Sequence, residues 1–195
     1  MYVDKSFLRL KFIKKRRKLY STNFFFLFDK IFLLIKKNFP KKKPSIAGYY
    51  PSNFEVNILD FLSQANKKNF KVGLPKINKD YKIDFKYWIP NEPLYVNRYG
   101  ILEPKKQNIT FKPDIILVPL VAFDKSLNRI GYGRGYYDRA LKQLSSNKKI
   151  LTIGMAFSFQ EASIIPTNQY DYNLDCILTN RNLIYKKTNE NFIFR

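Results

Sequence analysis

Between residues 128 and 138 the chain reads Asn128-Arg129-Ile130-Gly131-Tyr132-Gly133-Arg134-Gly135-Tyr136-Tyr137-Asp138, and three of its 7 glycines fall there. Glycine lets backbone N–H groups approach an anion with no Cβ in the way. A helix beginning near Gly135 adds unpaired N–H groups and the positive end of its dipole. Arg129 and Arg134 add fixed charge in a bidentate geometry. This is the chemistry of a phosphate cradle, and the same spacing also suits a turn that needs left-handed residues. The segment is neither a Walker A loop, which needs Gly-Lys-Ser/Thr, nor a dinucleotide fingerprint, which follows its strand at once. Asp138, about one turn into the helix, is either an acid at the dipole's positive end or a carboxylate holding Mg²⁺ beside phosphate oxygens. Asp175 lies in the hydrophobic run Leu174-Asp175-Cys176-Ile177-Leu178. It needs a metal ion or an arginine there, because a lone buried charge is costly.

Several other chemistries are excluded by composition. The 195 residues contain no histidine, so His-ligated zinc, a Ser-His-Asp triad and histidine base catalysis are absent. The single cysteine, Cys176, forms no internal disulfide and no cysteine-rich metal site. An intracellular, cytoplasmic protein is the expectation from that usage. The formal charge is +21, from 36 basic and 15 acidic residues. Residues 1–44 hold 14 of the basic residues and 2 of the acidic ones. Such a segment suits nucleic acid, a membrane surface or anionic metabolites, or is the solvated face of a lysine-rich protein. The apolar run from Phe24 to Ile35 is interrupted by Asp29 and Lys30 and is too short to span a bilayer. It reads as a core-facing helix, with an interfacial membrane helix as the alternative.

The elements that must position these residues follow from periodicity. A first helix is expected over about 5–20, capped by Asp4, with Phe7, Leu8, Phe12 and Ile13 inward and Lys11, Lys14, Lys15 and Lys18 outward. Ser21, Thr22 or Asn23 is expected to cap a second helix ending before Pro40. Ser45–Tyr50 reads as a strand. Ser52-Asn53-Phe54-Glu55 has capping-box spacing ahead of a third helix carrying Ile58, Leu59 and Leu62. Phe70–Leu74 reads as a strand stopped by Pro75, and Tyr81–Trp88 as a further strand or hairpin arm. Residues 90–113, with four prolines, read as loop. Asp114–Pro119 is a continuous β-branched run, as in a central parallel strand buried on both faces. A helix over Tyr136–Leu144 and strands at Ile150–Met155 and Leu174–Thr179 complete the pattern. Strands alternating with helices predict an α/β fold: an open, mostly parallel sheet flanked by helices in three layers. Ligands then bind beyond the carboxyl ends of the strands, where the glycine segment falls.

Pro113–Pro119, Ala122-Phe123-Asp124 and Asn128–Asp138 together resemble the 5-formyltetrahydrofolate cyclo-ligase (5,10-methenyltetrahydrofolate synthetase) family. Lys5-Ser6-Phe7-Leu8-Arg9, Leu74-Pro75-Lys76, Trp88, Tyr99–Pro104, Pro166, Asp171 and Leu174-Asp175 follow in the family's order, so the likeness covers nearly the whole chain as one domain over 1–195, with 1–40 as a helical part packed on it. The resemblance implies an enzyme that uses ATP and Mg²⁺ to cyclise 5-formyltetrahydrofolate to 5,10-methenyltetrahydrofolate, releasing ADP and phosphate. Phosphorylating the formyl oxygen makes it a good leaving group, and such transfer needs charge neutralisation and alignment more than a strong base.

By the same resemblance, Lys5, Arg9 and Arg129, Ile130, Gly131, Tyr132, Gly133, Arg134, Gly135, Tyr136 and Tyr137 bind ATP, with Arg134 and Lys5 catalytic. Arg9, Tyr50, Glu55 and Tyr132–Tyr136 contact the folate, and Asp138 and Asp175 hold Mg²⁺. Lys5 and Arg9 also suit a solvated i,i+4 face, and Glu55 a capping-box acid. Tyr132 stands where many members carry a second arginine, which leaves the loop with less charge. The expected partners are ATP and the folate alone, on a monomer, with no specific nucleic acid and no membrane. The alternative function is a basic RNA-binding module, in which Lys14-Lys15-Arg16-Arg17-Lys18 contacts phosphates and neighbouring Tyr and Phe stack on bases.

Overall fold

The computed structural model describes residues 4–78, 80 and 82–185. Its helices are α1 (Lys5–Leu19), α2 (Asp29–Asn38), α3 (Leu59–Lys67) and α4 (Tyr136–Ser145). In chain order the strands are β1 (Ile46–Ala47), β2 (Val72–Ile77), β3 (Ile83–Tyr87), β4 (Tyr95–Val96), β5 (Leu102–Glu103), β6 (Thr110–Phe111), β7 (Ile115–Pro119), β8 (Ala122–Phe123), β9 (Arg129–Ile130), β10 (Leu151–Ala156), β11 (Cys176–Thr179) and β12 (Leu183–Tyr185).

Eight strands form one sheet in the order β12-β11-β10-β7-β1-β2-β3-β6. The five central strands are parallel, and antiparallel β12, β3 and β6 close the two sides. β7 lies between β10 and β1, as its unbroken apolar run predicts. Its side chains alternate between two cores. Ile115 and Leu117 join Ile31 and Ile35 of α2 and Phe61, Leu62 and Ala65 of α3 on one face. Ile116 and Val118 meet Leu141 of α4 on the other. The three-layer α/β expectation is therefore met. Each fully buried Leu or Ile in these layers contributes about 1.5–3 kcal/mol.

α1 packs outside the layers. Leu8 and Phe12 bury against Val121, Ala122 and Ile130 on the β8–β9 ribbon that follows β7. Phe7, expected inside, is 62% exposed, because Leu8, Phe12 and Arg16 at i,i+4 spacing take the inward stripe. Asp4 occupies the cap position of α1 without a side-chain hydrogen bond.

Other expectations shift in place. The second helix starts at Asp29, not after Asn23. Residues 24–28 instead form an extended strap whose Phe24, Phe26 and Phe28 pack inward while Phe25 and Leu27 stay exposed. β1 has only two residues. The third helix starts at Leu59, because Asn53 and Phe54 take left-handed conformations and turn the chain first. β2 runs through Pro75 instead of stopping there. The carbonyls of Lys71 and Gly73 face β1, so Pro75 turns its missing N–H toward the same side, beyond the end of β1. The strand expected from Tyr81 is β3, and Tyr81 itself lies outside the described residues. The proline-rich stretch contains the β4–β5 hairpin and β6. Lys76 on β2 ion-pairs with Glu103, which also accepts from the Ile77 N–H (3.2 Å) and Asn97 Nδ2 (3.1 Å), tying that hairpin to the sheet.

Candidate active site

The carboxyl ends of β1, β2 and β7 open into a cavity of about 270 Å³. Tyr49 and Tyr50 after β1, Pro75 and Ile77 of β2, and Pro119 of β7 form its floor. The glycine loop from Tyr132 to Asp138 forms one wall, and Asn97, Tyr99 and Ile101 of the β4–β5 hairpin form the facing one. This is the crevice expected of an open α/β sheet.

Each glycine of the loop has a distinct job. Gly133 (φ 93°) and Gly135 (φ 64°) are left-handed, and Gly135 caps α4 directly. A Cβ at Gly133 would stand 3.1 Å from the Arg9 guanidinium carbon. Gly131 offers its carbonyl to Arg9 Nε at 2.8 Å. α1 thus lays Arg9 along the loop, and Lys5, one turn earlier, ion-pairs with Asp171. Asp171 also accepts from the Asn168 N–H at 2.7 Å. Arg134 lies exposed over the Tyr99 ring at 4.7 Å, and the Tyr99 hydroxyl meets the Tyr136 hydroxyl at 2.8 Å. Lys5 and Arg9 therefore gather where α1, the loop and the 168–171 turn converge, and Arg134 reaches from the same loop to Tyr99.

Two loop residues face inward instead. The Ile130 side chain is core, packed with α1. Arg129 is buried, ion-paired to Asp138 at 2.8 Å and donating to the Tyr172 carbonyl at 2.9 Å. Its guanidinium ties the loop to α4 and to the chain entering β11.

Beneath the loop lies a buried polar cluster. Glu55 is 6% exposed and accepts from the Ser52 N–H at 2.8 Å and from Ser52 Oγ at 3.3 Å. The left-handed turn at Asn53 and Phe54 carries it into the cavity. Burial raises its pKa, opposed by the Ser52 N–H, the Arg16 charge and the Tyr132 hydroxyl. Arg16, 1% exposed, donates to the Leu120 carbonyl at 3.1 Å and to the Tyr132 hydroxyl. Burial, then the Glu55 charge, pushes the Tyr132 phenol up to about 12. The Tyr137 hydroxyl is buried with no hydrogen-bond partner among the described residues, and burial followed by Glu55 keeps it protonated. A donor of this kind in a cavity wall suits a polar ligand.

The two expected magnesium carboxylates are placed at different levels of the sheet. Asp138 lies in the cavity wall, on the first turn of α4, and also accepts from the Tyr172 N–H at 3.1 Å. Asp175 precedes β11 and accepts from the Thr152 N–H and hydroxyl, both at 2.7 Å. Thr152 pairs with Ile116, so Asp175 sits three residues, about 10 Å, before the carboxyl end of β7 at Pro119. No cluster of three or more acidic, Cys or His residues that could hold a metal occurs among the described residues. Of the two, Asp138 lies in the cavity wall, ion-paired there with Arg129, and Asp175 fits a strand-end clamp.

Arg16, Tyr49, Asn97 and Tyr99 belong to this site but were not singled out as site residues from sequence. Arg16 was hidden inside a basic run that reads as a solvated face. Its burial also interrupts the surface proposed for RNA, since only Lys14, Arg17 and Lys18 of that run are exposed. No helix among the described residues is long and apolar enough to cross a membrane.

Comparison with known proteins supports the same reading. The model of the 5-formyltetrahydrofolate cyclo-ligase family matches residues 2–180. The chain is 34% identical to the 5-formyltetrahydrofolate cyclo-ligase of Mycoplasma genitalium, over 91% of this chain and 99% of that one. It is 34% identical to the Haemophilus influenzae protein of the same name, over 71% of this chain and 76% of that one. Among solved structures, the Aquifex aeolicus 5,10-methenyltetrahydrofolate synthetase superposes with a TM-score of 0.75 at 30% identity, covering 98% of this chain and 97% of that one.

Proposed function

The chain belongs to the 5-formyltetrahydrofolate cyclo-ligase family and is a cyclo-ligase of folate metabolism; from that premise we propose how its cavity performs an ATP- and Mg²⁺-dependent cyclisation. The observation that carries the reading is the convergence of Arg134 and the Gly135–Asp138 part of the glycine loop with the buried Glu55 in one cavity, while Arg9 is held against the same loop at the Gly131 carbonyl. Loop amides, Lys5, Arg9 and Arg134 receive the ATP phosphates. Glu55 receives the amino-pyrimidine edge of the folate, whose paired N–H donors match the two oxygens of a carboxylate. Tyr50, Tyr132 and Tyr136 line the ring, and the Tyr137 hydroxyl donates to it.

The reaction follows from that placement. The formyl oxygen attacks the γ-phosphorus, the bond to the β-phosphate oxygen breaks, and ADP leaves. N10 then adds to the formyl carbon and releases its proton to solvent, and the carbon–oxygen bond breaks with phosphate as leaving group, which leaves the methenyl cation shared by the two nitrogens. Arg134 and Lys5 neutralise the charge that develops on the transferring group. Mg²⁺, when bound with ATP, supplies further neutralisation, and Asp138 is the residue that would hold it. We take the enzyme to act as a monomer. We place the enzyme in the cytoplasm, without membrane or specific nucleic-acid partners.

Two tests address this reading. Lys5→Ala and Arg9→Ala should each weaken the apparent affinity for ATP about tenfold, the size of one charge-assisted hydrogen bond, with the thermal midpoint kept. An ATP KM unchanged in both variants would make them ordinary surface charges. Asp138→Asn should raise the Mg²⁺ concentration for half-maximal rate about tenfold. Asp175→Asn should leave that requirement alone and lower the melting temperature, because one oxygen that now accepts two hydrogen bonds from Thr152 is exchanged. A raised Mg²⁺ requirement in Asp175→Asn would restore the two-carboxylate site.

A further inference from the structure

The amino ends of the parallel strands carry a second cavity, of about 310 Å³. Lys42 from the loop after α2, Asp114 ahead of β7, and Lys148 and Lys149 ahead of β10 line it, with Phe39 beside them. Asp114 and Pro119 bracket β7, so the length of that strand, about 16 Å, separates this cavity from the one that holds Glu55. Its cations are held in place. Lys42 Nζ and Lys148 Nζ both donate to Asp114 Oδ1, at 2.9 and 3.0 Å. Lys42 Nζ also lies 5.5 Å from the centre of the Phe39 ring, and Lys148 Nζ donates to the Lys112 carbonyl at 2.7 Å. The other oxygen of Asp114 accepts from the Ser45 N–H at 2.8 Å and from its hydroxyl at 2.9 Å. The carboxylate is thus engaged on both oxygens and clips together two ammonium groups, of which it neutralises one.

The surrounding chain does not balance this charge. Residues 36–43, 112–114 and 148–149 hold eight lysines and one acid, Asp114. The C-terminal ends of α2 and α4 come to the same side, and each adds only about half a negative charge. Ion pairing and helix dipoles together therefore account for a minority of the lysines. A concave site with a surplus of one sign focuses its field and concentrates ligands of the other. We propose that this cavity binds an oligophosphate anion, the chemistry shared by inorganic triphosphate and the phosphate tail of a nucleotide, between the Lys42, Lys148 and Lys149 side chains. Linked phosphates offer several anionic oxygens to several cations, where a single carboxylate would only duplicate Asp114. Lysines act on phosphate as point charges, so the site selects charge over shape. Holding Lys42 and Lys148 in advance lowers the cost of ordering them on binding.

The test locates the ligand on the intact chain. The ¹⁵N-labelled protein is titrated with inorganic tripolyphosphate, without Mg²⁺ and at fixed ionic strength, and its backbone amide resonances are followed. The amides of Lys42, Asp114 and residues 148–151 should shift along one binding curve, distinct from that of the glycine-loop amides. In Lys42→Gln/Lys149→Gln the first curve should weaken about tenfold, the size of two exposed charge contacts, while the glycine-loop curve stays in place. Lys42→Arg/Lys149→Arg should keep the affinity. Neither lysine lines the active cavity, so the cyclisation rate of the double variant should match that of the unsubstituted chain and report an intact fold. Should the double variant fail to fold, Lys42→Gln alone decides, since that side chain is 59% exposed. Repeating the titration with ATP separates the two sources: tighter binding at these amides assigns the nucleotide, and equal or weaker binding assigns the inorganic anion. Shifts confined to the glycine loop, shifts at residues 148–151 that sodium chloride reproduces at the same ionic strength, or equal weakening of both curves overturn the proposal and leave these lysines a solvated face.

Discussion

Glu55→Gln is expected to lower kcat/KM for the folate by about 100-fold, with the ATP KM within twofold of the unsubstituted value. A hydrogen bond to a charged group is worth about 1.5–3 kcal/mol, and leaving a buried partner unmatched adds to that. Glutamine keeps the shape of the side chain but turns one acceptor into a donor, so one of two contacts with the amino-pyrimidine edge becomes repulsive. The effect is confined to the folate because the ATP groups sit on α1 and the loop, whereas Glu55 sits in the turn before α3, held by Ser52. Stability should change little, since the buried charge that costs desolvation is removed together with its attraction to Arg16. Steady-state kinetics with each substrate varied in turn checks this. Equal loss in both KM values would instead indicate a collapsed cavity.

Phe157→Ala should be the most destabilising single change, at about 3–5 kcal/mol. Phe157 is 2% exposed, follows β10, and contacts Phe24, Phe26, Phe159 and Tyr20 at ring-centre distances of 5.1, 5.6, 5.2 and 5.9 Å. Tyr20, Phe24 and Phe26 belong to the segment that joins α1 to α2. For a chain of this size about 2–4 °C is lost per kcal/mol, so the melting temperature should fall by about 10 °C. Limited proteolysis should first cut within residues 24–28. A loss under about 1 kcal/mol would mean that the strap repacks without its hub.

The strap shows what was legible in the sequence and what was not. Phe24, Phe26 and Phe28 turn inward and Phe25 and Leu27 outward, a period of two that marks an extended segment. Read as one apolar run with a cap before it, the same residues suggest a helix from Asn23. β7, β10 and α4 were readable because continuous β-branched runs and amphipathic spacing have few other uses. The spacing of Glu55 from Ser52 was read as a capping box, and that contact exists, yet it closes a left-handed turn four residues before α3 begins; the role of Glu55 toward a ligand came from the family resemblance alone. Asn53 tolerates a left-handed conformation, but Phe54 gives no sign of one as glycine would. The β4–β5 hairpin was concealed by its prolines, and its tie to the sheet, Lys76 with Glu103, joins residues whose pairing only the fold brings about. Arg16 was the deepest omission. A guanidinium in a lysine-rich run is solvated by default, and only the tertiary stacking of α1 on the ribbon after β7 buries it.

The central claim is that one cavity couples ATP cleavage to ring closure on the folate. The most direct measurement follows, in one reaction with Mg²⁺, ATP and 5-formyltetrahydrofolate, both ADP and the near-ultraviolet absorbance of the methenyl product. The account predicts that the two rise together, one ADP per methenyl group formed, and that neither rises when the folate or ATP is withheld. ADP release without the chromophore, or no release at all from the folded chain, would contradict it.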